Sequence, residues 1–284
     1  MRVAVIIPAA GAGHRFGAGD KLAADFGGRP VLLKSIEPFT KRDEVDAIIV
    51  AGPPDDLDAF RDRYGPQIGF LGGTIVAGGR KERWETVRLA LDAVPEECTH
   101  VAIHDGGRPL LDDDLVGRVF EAGRTRAAVI PGIPVRDTLK RCGDELFETA
   151  ERDATVDAIL GLGDDAGIDD LLGGGGGDGG DGGEPGPGHQ VPGRAVKETV
   201  SRQGLFRVQT PQLFEIDLLK RAYAQDDLDG ATDDAMLIER LGEDVTMVEG
   251  DERNLKITTQ GDLVIARAIA GVKGDGGKPA HLRF

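Results

Sequence analysis

The sequence is poor in cysteine, with only Cys98 and Cys142 in 284 residues. The two form no CxxC pair, so neither a disulfide framework nor a structural zinc site is supported. No stretch approaches the ~20 apolar residues that a membrane-spanning helix needs. The apolar run at 3–7 is too short for a secretory signal. These absences predict a soluble, cytoplasmic protein without a membrane partner.

Positive charge is also scarce, because 34 Lys and Arg face 50 Asp and Glu, a formal net charge of -16. Nucleic acids are bound by basic surfaces, so this balance argues against a nucleic-acid partner. The deficit is local: thirteen of the acidic residues lie in 142–195, against two arginines. The rest of the chain has a nearly ordinary charge balance, and the 40% hydrophobic content is enough for a real core.

Short apolar runs alternate with helical patterns outside the acidic region. Buried strands have apolar or β-branched runs bounded by Gly, Pro or Asp, and they are predicted at 3–7, 46–51, 99–103 and 127–130. Two further strands are predicted at 205–209 and 244–248. Helices, with apolar residues at three- and four-residue spacing, are predicted at 81–94, 112–124, 215–224, 233–241 and 261–270. This alternation indicates an α/β fold with a Rossmann-like, doubly wound, mostly parallel sheet.

A protruding antiparallel β-arm is predicted at 135–201, within a single domain of residues 1–272. Residues 135–141 alternate like an exposed strand, and 196–200 are its candidate partner. Between them, a candidate helix at 148–160 precedes a stretch rich in Gly and Asp. That composition buries too little apolar surface to offset the entropy of ordering, so we expect an acidic, disordered insert at about 163–192, protruding from the arm tip. Residues 273–284 are predicted to be a flexible tail.

A glycine-rich loop at 8–17 follows the first strand, where α/β proteins bind ligands. Its small residues allow backbone N–H groups to approach phosphate oxygens. A dinucleotide fingerprint needs glycine at Phe16, and a Walker loop needs Gly-Lys-Ser/Thr where the chain has Gly19-Asp20-Lys21-Leu22, so neither fits. Arg15 and Lys21 are instead expected to contact a polyphosphate, whose charge grows as an oxygen attacks the α-phosphorus. The alternative is a tight turn with two solvated charges.

A second polar loop, His104-Asp105-Gly106-Gly107-Arg108-Pro109, ends another predicted strand at the same edge of the sheet. Asp105 is the candidate Mg²⁺ ligand, since magnesium uses one or two carboxylates plus substrate phosphates. An aspartate here that only caps the following turn is the alternative. His104 is predicted to be structural.

Seven motifs, in order along the chain, resemble the 2-C-methyl-D-erythritol 4-phosphate cytidylyltransferases of the non-mevalonate isoprenoid pathway. They are Pro8-Ala9-Ala10-Gly11 with Arg15 and Lys21; Gly78-Gly79 with Arg83 and Thr86; His104-Asp105 with Arg108-Pro109; Pro134-Val135-Arg136-Asp137-Thr138; Gln209-Thr210-Pro211-Gln212; Thr232-Asp233-Asp234-Ala235; and Asn254-Leu255-Lys256-Ile257-Thr258. Of these, Thr232-Asp233-Asp234 is explained equally well as a helix N-cap cluster, so we treat it as structural.

The resemblance implies a nucleotidyltransferase-type fold and a reaction of CTP with methylerythritol phosphate, giving the cytidine diphosphate alcohol and pyrophosphate, with magnesium required. It also implies a homodimer in which the β-arm crosses to the neighbouring subunit. The arm would then deliver Thr138 and Arg202 to the neighbour's site.

Site assignments follow from the same resemblance, position by position. Arg15 and Lys21 would stabilise the transition state, and Asp105 would hold the metal. The implied nucleotide-binding residues are Ala9, Ala10, Gly11, Gly13, Gly78, Gly79, Arg83 and Thr86. The residues implied for the substrate are Asp105, Arg108, Thr138, Arg202 and Lys256. Without the resemblance, Arg202 and Lys256 would be interpreted as solvated surface charges.

Three features depart from the family pattern. Gly106-Gly107 replaces a usual Ala-Ala, which should loosen that loop. Three residues rather than the commoner two separate Gly79 from Arg83, so a rearranged cytosine loop is expected. The third departure is the acidic insert.

Two rival functions stay open at this point. One is a cytidylyltransferase for another polyol phosphate, such as ribitol 5-phosphate. The other is a non-catalytic nucleotide sensor whose acidic insert binds a basic partner. The presence of Arg15, Lys21, Asp105 and Lys256 together argues against the sensor, because binding alone would not need all four.

Overall fold

The computed structural model describes residues 1–11, 16, 20–147 and 193–272, the side chains of 145–147 excepted. Gly13, Arg15, the predicted helix at 148–160, the predicted insert and the predicted tail lie outside the described residues. The described chain forms two compact units, a body of Met1–Pro134 and the segment from Phe206, and an arm of Val135–Leu205. Within these described ranges, no helix has the length and apolarity to cross a membrane.

An eight-stranded sheet forms the centre of the body. Its strands are β1 (Val3–Pro8), β2 (Val45–Gly52), β3 (Gly73–Ala77), β4 (His100–Ile103), β5 (Ala128–Pro134), β8 (Phe206–Val208), β9 (Gln212–Glu215) and β10 (Thr246–Glu249). They run in the order β10-β5-β9-β4-β1-β2-β3, with β8 also paired to β5. Pairings β1–β2, β1–β4, β2–β3 and β5–β10 are parallel, whereas β8 and β9 run antiparallel to their neighbours. The predicted α/β, mostly parallel sheet is confirmed.

Helices cover both faces of this sheet. They are α1 (Val31–Ile36), α2 (Leu57–Phe70), α3 (Arg83–Leu91), α4 (Asp113–Gly123), α5 (Ile216–Tyr223), α6 (Asp234–Arg240) and α7 (Gln260–Ile269). Because alternate strand residues point to opposite faces, Val5 and Ile7 of β1 pack into one apolar core and Ile6 into the other. This two-sided burial explains why β1 is apolar throughout.

The arm contains two antiparallel strands, β6 (Leu139–Phe147) and β7 (Gly193–Val200), with Leu139 opposite Val200. The predicted pairing is confirmed, but the prediction that the first strand begins at Val135 was wrong. The N–H of Val135 donates to the carbonyl of Leu205 at 3.0 Å, and the N–H of Leu205 donates to Arg202. The residues before Leu139 are therefore outside the β6–β7 ladder.

Candidate functional site

A cavity of about 420 Å³ lies at the carboxyl edge of the body sheet. Parallel β1 and β4 both end at this edge, so the loops that follow them face each other. The cavity is lined by nine of the predicted site residues: Ala9, Ala10, Gly11, Lys21, Gly79, Arg83, Thr86, Asp105 and Lys256. The structure therefore brings Lys21, Asp105 and Thr86 to one shared hollow.

Four other predicted site residues are described by the structure and are absent from this lining. Gly78 and Arg108 are outside the cavity lining but next to residues of it. Thr138 and Arg202 belong to the arm, where they flank the end of the ladder at which Leu139 pairs with Val200. A role for these two arm residues stays a prediction.

Close packing explains the two glycines of the loop between β3 and α3, Gly78 and Gly79. A Cβ on Gly78 would stand 2.8 Å from both Ala10 Cβ and Thr86 Cγ2, and one on Gly79 would collide with Glu85 Cβ. The Gly79 N–H donates to the buried hydroxyl of Thr86 at 3.0 Å. Thr86 therefore holds the backbone of this loop against the β1 loop, on the wall of the cavity.

The longer spacing between Gly79 and Arg83 has its own hydrogen bonds. The backbone N–H groups of Lys81 and Glu82 donate to one carboxylate oxygen of Glu85, at 3.0 and 3.3 Å. These bonds hold the pKa of Glu85 below its usual value. Because the additional length is fixed by the first turn of α3, the loop still leads into a helix whose Thr86 faces the cavity.

Asp105 is buried at the cavity wall among three cations. Its carboxylate lies 3.0 Å from Lys256 Nζ, 3.2 Å from Arg108 Nε and 3.5 Å from Arg83 Nε. Burial alone would raise the pKa of Asp105, but the charges of Lys256, Arg83 and Arg108 outweigh burial and hold the pKa well below its ordinary value. Asp105 is therefore an ionised carboxylate, which excludes a role as a proton donor at neutral pH.

Arg83 bridges two buried carboxylates. Besides the contact with Asp105, its Nη1 donates to Asp234 at 2.7 Å, and Asp234 is only 1% exposed. The other oxygen of Asp234 accepts the hydroxyl of Tyr223 at 2.6 Å. Burial would lower the pKa of Arg83, but Asp234 and Asp105 raise it above its ordinary value. The guanidinium of Arg83 is thus permanently charged, and its two carboxylate partners fix its orientation.

Sequence reasoning missed this function of Asp234. It treated Thr232-Asp233-Asp234 as an N-cap cluster, and Asp233 is indeed the N-cap of α6, accepting from the N–H of Met236 at 3.0 Å. Asp234 itself instead orients Arg83 on the cavity wall. A buried aspartate has to be paired, but the sequence gives no sign of a partner 151 positions away.

Lys256 reaches the site through a backbone connection. The N–H of Ile257 donates to the carbonyl of Gly107 at 2.8 Å, and Arg108 Nη1 donates to the carbonyl of Asn254 at 2.8 Å. Asn254 in turn donates to the carbonyl of Thr210 at 2.9 Å. The segment that carries Lys256 is therefore fixed beside the β4 loop, which accounts for the motif at 254–258.

His104 is fully buried and structural in its contacts. Its Nδ1 lies 3.0 Å from the hydroxyl of Thr210, which also accepts the N–H of Asp105 at 3.1 Å. Its Nε2 lies 3.4 Å from the carbonyl of Arg108. Burial lowers the pKa of His104 to about 3. These contacts fit a neutral imidazole with its proton on Nε2, which connects the β4 loop to Thr210.

The donor set for a magnesium ion is small. Among the residues that the structure describes, no cluster of three or more His, Cys, Asp or Glu side chains could hold a metal. One carboxylate is nevertheless enough when phosphate oxygens complete the shell. Asp105 fits that requirement, because it is ionised and lies on the wall of a cavity that also contains Lys21.

Comparison with known proteins gives consistent matches. The family model for 2-C-methyl-D-erythritol 4-phosphate cytidylyltransferase matches residues 3–160 and 189–271. The cytidylyltransferase of that name from Frankia casuarinae is 36% identical over 270 residues, covering 94% of this chain and 81% of the relative. The one from Rhodococcus jostii is also 36% identical over 270 residues, with 94% of each chain covered.

Solved structures agree with the sequence matches. The crystal structure of 2-C-methyl-D-erythritol 4-phosphate cytidylyltransferase from Thermus thermophilus superposes with a TM-score of 0.64 at 30% identity, covering 96% of this chain and 100% of that one. A 4-diphosphocytidyl-2C-methyl-D-erythritol synthase superposes with a TM-score of 0.66 at 26% identity, covering 95% of this chain and 99% of that one.

Proposed function

The chain belongs to the 2-C-methyl-D-erythritol 4-phosphate cytidylyltransferase family, and from this premise we propose that the cavity at the carboxyl edge of the body sheet is its active site. The enzyme joins CTP to methylerythritol phosphate, giving 4-diphosphocytidyl-2-C-methyl-D-erythritol and pyrophosphate, in isoprenoid biosynthesis. The observation that carries the site assignment is the convergence of Lys21, Asp105, Thr86 and Lys256 around one cavity.

The chemistry requires positioning and charge neutralisation. A phosphate oxygen of the substrate forms a bond to the α-phosphorus of CTP while the bond from that phosphorus to pyrophosphate breaks. The attacking phosphate is already an anion at neutral pH, so no general base and no covalent protein nucleophile are needed. Charge accumulates on the α-phosphoryl oxygens and on the leaving group, and fixed cations stabilise that charge.

Different residues bind the triphosphate, the cytosine and the substrate's phosphate. Lys21 and Arg15 stabilise the charge that develops at the α-phosphorus and on pyrophosphate. The backbone N–H of Ala9 donates to the carbonyl of Ala51 at 2.8 Å, so the N–H groups of Ala10 and Gly11 are the ones that face the phosphates. The loop of Gly79 and Thr86 lies against cytosine. Lys256, whose side chain is 38% exposed beside Asp105, binds the substrate's phosphate together with Arg202.

Magnesium is part of the proposal. Asp105 would hold the ion, which would neutralise phosphate charge when it is bound together with the nucleotide. The ionised state of Asp105 and its place on the cavity wall support this role. Arg108 and Lys256 hold the carboxylate in position, so the protein supplies a fixed oxygen ligand.

Pyrophosphate release from CTP is the direct test of substrate choice. We expect rapid release with methylerythritol phosphate, slow release with ribitol 5-phosphate, and loss of activity when EDTA removes divalent cations. A preference for ribitol phosphate would assign the chain to the other polyol phosphate. Tight CTP binding without release with either phosphate would favour the nucleotide sensor, and full activity in EDTA would reject the magnesium proposal.

A homodimer with exchanged arms is the second part of the proposal. The arm is a distinct unit with its own ladder, and Thr138 and Arg202 flank one end of it. Both are polar residues, suited to the substrate's phosphate and hydroxyl groups. Exchange would place them in the neighbour's active site, so each site would be assembled from two subunits.

Mixed dimers test the exchange. Lys21→Ala alters the body and Arg202→Ala alters the arm, and we expect each homodimer to have little activity. With exchanged arms, a hybrid isolated through two affinity tags contains one intact site, so activity returns. Hybrids of Lys21→Ala with Asp105→Asn, both changed in the body, are the control and stay inactive. An inactive Lys21/Arg202 hybrid would show that each arm serves its own subunit.

We also propose a cytoplasmic location. Cys98 and Cys142 are both unpaired, as is usual where thiols are kept reduced.

A further inference from the structure

Asp20 immediately precedes Lys21 in the sequence. We infer that Asp20 is a positioning residue, which orients the Lys21 side chain toward the triphosphate. The inference rests on the proposed function, because it assumes that Lys21 acts on the triphosphate. It concerns a carboxylate whose described side-chain contacts are with Leu22, Arg63 and Tyr64. Asp20 therefore acts on the reaction through its neighbour in the chain.

The first contact fixes the backbone on both sides of Lys21. Asp20 Oδ1 accepts the N–H of Leu22 at 2.9 Å, an Asx turn that spans the lysine. The carbonyl of Asp20 accepts the N–H of Ala23 at 3.2 Å, and that of Leu22 accepts the N–H of Leu32 at 3.1 Å. The side chain of Leu22 is only 5% exposed. Lys21 therefore lies between the Asx turn of Asp20 and the buried side chain of Leu22.

The second contact connects Asp20 to the body. Its Oδ2 lies 3.3 Å from Arg63 Nη1 and 3.5 Å from the hydroxyl of Tyr64, both on α2. Tyr64 is 1% exposed and packs against Phe60 with 4.8 Å between ring centroids. Burial, with a contribution from the charge of Asp20, raises the pKa of Tyr64 to about 12, so the phenol stays a hydrogen-bond donor. The turn is therefore connected to a helix whose Tyr64 is packed in the core.

The charges of this arrangement suit a phosphate site. An aspartate beside the proposed catalytic lysine would repel the triphosphate if its charge were uncompensated. Arg63 supplies the compensating charge on α2, and both carboxylate oxygens of Asp20 have protein partners. Lys21 lines the cavity near the β4 loop, with its Nζ 4.0 Å from the place of a Cβ on Gly107. Asp20 thus fixes the lysine, while Arg63 limits the electrostatic cost.

Kinetics of Asp20 variants test the inference. Because a small misplacement of a catalytic group is costly, we expect Asp20→Ala to lower kcat about tenfold while the KM for CTP changes less than about twofold. Asp20→Asn keeps the acceptor for Leu22 and should recover most of kcat. Tyr64→Phe keeps the buried ring and should lower kcat slightly. Arg61→Gln, on the same helix but paired with Asp58, is the control and should match the wild type.

The lysine background separates positioning from general damage. If Asp20 acts through Lys21, Asp20→Ala has no further effect on kcat once Lys21 is alanine. A tenfold loss in both backgrounds, or wild-type kcat for Asp20→Ala, would overturn the inference while leaving the role of Lys21 intact. Wild-type kcat for Lys21→Ala would remove the proposed role of Lys21 and the inference with it, whereas failure of the proposed function would appear as no pyrophosphate release by the wild type. Thermal unfolding of each variant identifies losses of kcat that are caused by misfolding. If Asp20→Ala misfolds, the kcat values of Asp20→Asn and Tyr64→Phe test the positioning role of Asp20.

Discussion

Replacing Lys21 with alanine is expected to lower turnover about 10²–10³-fold, the usual effect of removing one preorganised charge-stabilising group. The KM for CTP should rise only modestly, because the backbone donors at 10–11 and the Gly79 loop still hold the nucleotide. Lys21 and the ionised Asp105 face the same cavity, so the lost charge belongs to the reaction centre. Steady-state pyrophosphate release together with calorimetric CTP binding measures both quantities.

Lys220→Ala is the matched control for Lys21→Ala. Lys220 lies on the exposed side of α5 and is outside the cavity lining. It removes the same charge from the protein, and turnover should be unchanged. Turnover of Lys21→Ala within a few fold of the wild type would show that the lysine has no part in stabilising the developing charge.

Replacing Arg83 with methionine is expected to destabilise the protein by about 3–5 kcal/mol, the typical result of removing one partner of a buried ion pair. Asp234, 1% exposed, would keep only the Tyr223 hydroxyl of its two side-chain partners and would be left as a buried charge without a cation. Turnover should fall as well, since Asp105 loses one of its three cations. Urea unfolding measures the change in the free energy of unfolding.

Two companion variants make the Arg83 experiment decisive. Arg80→Met breaks the exposed pair with Asp55, in which both side chains are 70% exposed, and should change stability little. Combining Arg83→Met with Asp234→Leu and Tyr223→Phe replaces the buried polar group by apolar side chains and should recover most of the lost stability. Equal effects of Arg83→Met and Arg80→Met would contradict a buried bridge.

The strands that carry the site could be predicted from local pattern. Burial on both faces makes β1 and residues 101–103 of β4 apolar, and the carboxyl ends of the two strands define the edge where the ligand loops meet. The position of Asp105 beside the glycine-rich loop could be predicted as well, because the carboxyl ends of adjacent parallel strands meet at one edge of a sheet. Lys21 lies well beyond the end of β1, so its assignment depended on the pattern of the loop and its cations.

Four body elements were not predicted, and the reasons differ. In α2, Phe60, Tyr64 and Ile68 have helical spacing and are buried, but the Pro66 inside the helix interrupts the pattern. The strand β3 is only partly buried, and α1 is six residues long. The strand β9 has four residues and enters between β4 and β5 from far along the chain, so its place depends on tertiary pairing.

The contacts that hold the site residues in place also could not be predicted from local sequence patterns. The Arg83–Asp234 bridge and the Arg108–Asn254 bond join residues 151 and 146 positions apart. Such contacts exist only once the sheet has formed. The resemblance to a known family named Arg83, Arg108 and Lys256, but it did not show that they surround a single carboxylate.

The pairing of Pro134 with Phe206 has a consequence for how this chain can diverge. The polypeptide leaves the body at one residue and re-enters it at the opposite member of a strand pair, a gap of about 5 Å. For the body to fold, the segment between the two needs only to close that gap, and closure cost grows slowly with loop length. Evolution can therefore lengthen or recompose the intervening segment, as the acidic, glycine-rich stretch illustrates, without shifting a single strand of the catalytic scaffold.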